Sequence, residues 1–104
     1  MADTTKIVNA LNVIANATYQ GQPSSRPSLH QQNFERLRGS AEQVAAILTA
    51  NPNPNRDQQE NINSQFDAMK KAVDAYCTKT AGTENVLLAW NRASTEWQSL
   101  VSGH

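Results

Sequence analysis

Apolar residues recur at alternating steps of four and three along most of this chain, and that rhythm leaves one fold class open. In the stretch from Thr83 to Val101 it is carried by Val86, Trp90, Ala93, Trp97 and Leu100. Such steps gather side chains on one side of an α-helix, whereas a strand would divide them between two faces. Both tryptophans of the chain lie on this stripe, two turns apart. Each can bury about 150–250 Å². This helix is therefore expected to carry the largest share of a core, and it needs other apolar stripes to lie against.

Three more are present. Thr4, Ile7, Leu11, Ile14 and Thr18 form the first, widened by Val8 and Ala15, with Tyr19 near its end. Phe34, Leu37, Ala41, Val44 and Leu48 form the second, broadened by Ala45 and Ile47. Ile62, Phe66, Met69, Val73 and Tyr76 form the third. Short polar side chains stand where each helix would begin: Asp3 or Thr4, Ser28, Asn53 or Asn55, and Thr83. Their oxygens can accept from the free N–H groups of a first turn.

The stops are equally local. Gly21 tolerates the left-handed turn that often closes a helix. The run Gln22-Pro23-Ser24-Ser25-Arg26-Pro27 reads as a loop. Asn51-Pro52-Asn53-Pro54-Asn55 ends the second helix, because proline lacks a donor and drives the residue before it toward extended backbone. Thr80-Ala81-Gly82 makes the last break. The pattern predicts helices over 4–20, 29–50, 55–79 and 83–101, joined by loops 21–28, 51–55 and 80–82.

The expected architecture is all-α: a single domain over 1–104 folded as a small antiparallel four-helix bundle. Short second and third links favour antiparallel neighbours. The longer first loop leaves helix one free either to complete the bundle, packed loosely, or to be exchanged between copies. Gly39 falls in mid-helix, where glycine costs about 1 kcal/mol relative to alanine, and a close approach by another helix would explain it. Asp67 with Lys71, Lys70 with Asp74, and Arg92 with Glu96 are spaced to pair along outer faces.

Charge narrows the function. Nine basic and nine acidic side chains cancel, so no global field recruits nucleic acid or an anionic membrane. Charged residues make up 17% of the chain, below the roughly 25% of an average globular protein. Amides fill the difference, and amide-rich faces suit repeated protein contact. No apolar run nears the roughly 20 residues needed to cross a bilayer. Ile7 to Ala17 is interrupted by Asn9, Asn12 and Asn16, unlike a secretory signal. Cys77 has no second cysteine to pair with, which fits a reducing, cytoplasmic setting.

Chemistry is sparse. His30 and His104 have no ligand-type partner three or four residues on, so neither a metal site nor a cofactor is expected. Cys77 sits near a helix C-terminus, which disfavours a thiolate, and it reads as a small core residue. No catalytic constellation can be assembled, and an enzyme is not expected.

Two groups remain as candidate sites. Arg26, His30, Arg36 and Arg38 make the region 22–38 locally basic, a candidate anion-binding patch. Arg36 and Arg38 would project about 200° apart on a helix, however. The second group is Leu88, Trp90, Trp97 and Val101 on the last helix. Apolar residues there span more than one face, with Leu88 directed away from the side of Trp90. An apolar edge left uncovered would form a natural protein-binding surface. The leading expectation is a non-catalytic interaction module, such as an adaptor, inhibitor or chaperone-like accessory protein. The alternatives are a self-assembling subunit of a filament, shell or virion, and weak binding of an anionic ligand or nucleic acid through 22–38.

Overall fold

The second and third helices of this chain begin at side chains that replace missing backbone partners. The computed structural model describes residues 4–20, 28–78 and 80–102. It contains α1 (Thr5–Ala15), α2 (Leu29–Ala50), α3 (Arg56–Cys77) and α4 (Glu84–Ser102). Ser28 Oγ accepts from the Gln31 N–H at 3.1 Å and opens α2. Asn55 Oδ1 accepts from Gln58 N–H at 2.9 Å while Gln58 Oε1 accepts from Asn55 N–H at 2.9 Å, a reciprocal box that opens α3. Thr83 precedes α4, but its hydroxyl works backwards, donating to the Thr80 carbonyl at 3.0 Å. Thr4 holds the N-cap position of α1 without a side-chain capping bond, and Asp3 lies outside the described residues.

α1 is shorter than the periodicity predicts, ending at Ala15 instead of near residue 20. Asn16 Nδ2 donates to the Asn12 carbonyl at 2.9 Å, and Ala17 N–H bonds to Ile14 at 3.1 Å in a tightened last turn. Arg38 Nε donates to the Ala15 carbonyl at 3.1 Å. These contacts satisfy the carbonyls that another turn would have used. Thr18 is consequently exposed, and Tyr19 packs as part of an irregular segment. The predicted stop at Gly21 and the loop through Pro27 lie outside the described residues.

Gln20 N–H donates to the Tyr76 hydroxyl at 2.8 Å, and His30 Nε2 lies 2.6 Å from Thr80 Oγ1. These two contacts place the end of α1, the start of α2 and the end of α3 together. The short turn to α4 stays there, so the helices run up, down, up and down. The result is an all-α four-helix bundle. α1 is neither loose nor peripheral: Ile7, Leu11 and Ile14 have no exposed surface, and the helix packs against both α2 and α4.

Side-chain size decides how closely the helices meet. α1 packs against both α4 and α2, and these helices bury small residues, including Ala10, Ala41, Ala89 and Ala93. α3 and α4 approach least closely among the packed pairs. Between them lie Phe66 and Trp90, with ring centroids 5.6 Å apart, and Phe66 stacked on Trp97 at 6.0 Å. Large rings hold those two backbones apart while still filling the core.

Two sequence expectations change here. A Cβ built on Gly39 would meet nothing within 4 Å, so no helix approaches there and α2 continues through the glycine. The three spaced charge pairs of α3 and α4 stay open; among the described residues the ion pair formed is Arg56 with Glu60 at 3.7 Å, well exposed. Gly82 does need its flexibility, with φ at 81° in the turn before α4.

A candidate docking groove between the first and last helices

The core stripes of α1 and α4 leave one shared flank uncovered. On α1 this flank carries Lys6, Asn9, Ala10 and Val13; on α4 it carries Asn85, Leu88, Ala89 and Arg92. Both sets step by three, one and three, so each occupies one side of its helix across two turns. Ala10 and Ala89 are buried and form the floor. Longer side chains stand on either side, and the depression between them measures about 490 Å³.

Exposure marks this flank as incomplete. Leu88 is 67% exposed and Val13 48%, where the other apolar residues of α1 are buried or half-buried. Both side chains border the same groove. Because α1 and α4 run antiparallel, the start of one stripe lies beside the end of the other. Lys6 therefore shares one end of the groove with Arg92, while Val13 shares the opposite end with Asn85. Neither cation has an ion-pair partner among the described residues.

The other candidate residues of α4 have different positions. Trp90 and Trp97 are core residues, 8% and 2% exposed. Trp97 Nε1 donates to Asn63 Oδ1 at 2.7 Å, which satisfies its buried polar atom. Val101 is half-buried against the core and does not line the groove. Leu88 alone of the four joins the exposed flank. Val13, Lys6, Asn9, Asn85 and Arg92 were not among the site residues expected from the sequence. The available signal was Val13 itself, an apolar residue that the first stripe and its broadening leave unused.

The basic region does not assemble into one face. His30 lies among aromatic rings, 4.8 Å from Tyr76 and 5.8 Å from Tyr19 between centroids. Arg38 is committed to the Ala15 carbonyl and lies 5.7 Å from the centroid of the Phe34 ring. Arg36 is exposed, and Arg26 lies outside the described residues. Tyr76, at the centre of the aromatic cluster, has its pKa pushed up chiefly by burial, against the lowering effect of the Gln20 N–H. Burial likewise raises that of Cys77, so its thiol holds its proton more tightly than usual.

Compared with known proteins, the chain matches no family model, no curated relative and no solved structure. The groove must therefore be read from its own chemistry. Among the described residues no three His, Cys, Asp or Glu side chains converge in metal-binding range, and no helix is long and apolar enough to cross a membrane.

Proposed function

We propose that this protein is a non-catalytic interaction module that docks a protein partner in the groove between α1 and α4. The observation that carries the reading is the joint exposure of Leu88 and Val13 over a buried alanine floor. A small-molecule site typically encloses about 70–90% of its ligand. Here the apolar side chains project outward, which suits a partner surface that closes over them. Fully burying a leucine or valine is worth about 1.5–3 kcal/mol. Covering the exposed parts of both would contribute about 2–3 kcal/mol on that scale, enough to anchor a modest interface. Cys77 has no second cysteine in the chain to pair with, which fits a role in a reducing compartment such as the cytoplasm.

The test is affinity capture from the native cells, comparing wild type with Leu88→Asp and Leu29→Asp. Leu29 is 74% exposed but lies at the start of α2, away from the groove. A partner retained by wild type and Leu29→Asp but lost by Leu88→Asp supports the reading. Equal capture by all three contradicts it.

Leu29 also favours a second reading. A projecting leucine on one element and an apolar groove on another are the two halves of a head-to-tail contact, which builds rings or filaments. Self-assembly of this kind predicts concentration-dependent mass in light scattering that Leu29→Asp abolishes.

A further inference from the structure

The groove has polarity as well as shape. Resting on the docking reading above, we infer that its occupant is an acidic amphipathic helix, which sets an apolar side chain against Leu88 and Val13 and a carboxylate between Lys6 and Arg92.

The secondary structure of the occupant follows from the backbone. Every groove residue belongs to α1 or α4, whose interior N–H and C=O groups are bonded within their own helices. An incoming strand would find no edge to pair with, whereas a helix arrives with its backbone bonds already made. The lining residues span two turns on each wall, about 10 Å at 1.5 Å per residue. Such a length receives side chains at i, i+3 or i+4, and i+7 of a third helix.

Charge then fixes the chemistry. Lys6 and Arg92 are exposed and lack ion-pair partners among the described residues, and the antiparallel register puts them at one end. Two cations that form no ion pair favour a carboxylate and repel a basic segment, although Glu96 stands one turn beyond Arg92 on α4. Leu88 and Arg92 are one turn apart on α4, so the apolar anchor and carboxylate of the occupant should be separated by one to two turns. Asn9 and Asn85 can hydrogen-bond polar side chains at its edges. A second copy presenting the same groove would bring cations and amides to this position, with no carboxylate.

The experiment is selection of displayed helical peptides, randomised at i, i+3, i+4 and i+7 of a neutral alanine–glutamine scaffold, against the wild-type protein. Binding of the winners is then measured against Leu88→Asp, Lys6→Glu/Arg92→Glu, and the milder Lys6→Gln/Arg92→Gln. All substituted positions are exposed, and circular dichroism checks that each variant remains folded. The expected winners pair a large apolar residue with Asp or Glu one or two turns away. Their affinity should fall at least tenfold in both Leu88→Asp and Lys6→Glu/Arg92→Glu, and less in the glutamine pair. Winners that need Leu88 but carry no acidic bias, and ignore the charge reversal, overturn this inference while leaving the groove as a docking site. Winners indifferent to Leu88→Asp overturn both.

Discussion

Replacing Tyr76 by phenylalanine isolates the contact that fastens the irregular end of α1 to the bundle. The ring is fully buried and packs against Phe34, His30 and Tyr19 with centroids 4.9, 4.8 and 5.9 Å away. Phenylalanine preserves that packing and removes only the hydroxyl that accepts from Gln20 N–H at 2.8 Å. A neutral hydrogen bond contributes about 0.5–1.5 kcal/mol net. Gln20 is exposed, so water can take over part of the lost bond. The expected cost is therefore about 1 kcal/mol, in the middle of that range. For a domain of this size it lowers Tm by about 4–8 °C. Thermal and urea unfolding would measure the change, and amide hydrogen exchange would show faster opening at Gln20. An unchanged Tm together with unchanged Gln20 exchange would refute the assignment.

The same residue gives a pH dependence with a defined sign. Burial raises the Tyr76 pKa above its ordinary 10.0, so the unfolded chain releases this proton first. Its contribution is fully present below pH 10 and is lost as pH rises toward the folded-state pKa. Cys77 behaves alike from its ordinary 9.0 upward. Stability should consequently fall on the alkaline side, and Tyr76→Phe should flatten the upper part of the fall. Stability that rises between pH 9 and 11 would contradict both shifts.

Other substitutions probe separate contacts of the bundle. Gly39→Ala should stabilise the protein by about 1 kcal/mol, because the new methyl enters open space and alanine favours the helix; calorimetry would show the rise in Tm. Arg38→Ala should cost about 1–2 kcal/mol, through loss of the Ala15 carbonyl contact and the Phe34 ring contact, with exchange accelerated in the last turn of α1. Asn63→Ala removes the partner of Trp97 Nε1 and should cost about 1 kcal/mol by urea titration.

What the sequence reveals depends on the range of the cause. α2 is predicted to the residue, and α3 and α4 to within two, because prolines, caps and short turns act on immediate neighbours. α1 is overestimated because Thr18 continues the helical spacing while the real stop uses Arg38, 23 residues away. Gly39 suggests a close approach, but only the bundle geometry shows the space beside it to be empty. Leu88 is legible as an apolar residue off its stripe. The proximity of Lys6 to Arg92 requires the antiparallel register of the first and last helices, which no local pattern encodes. His30 and Arg38 are adjacent in composition yet drawn apart by an aromatic cluster and a helix end.

A partner that closes over the flank shared by α1 and α4 must perturb the backbone along that flank. Backbone amide shifts of the isotope-labelled protein, followed while the tightest selected peptide is titrated in, test it most directly. The largest changes should cluster at Lys6, Asn9, Val13, Asn85, Leu88 and Arg92. Saturable changes centred instead on residues 28–38 would contradict docking on that flank.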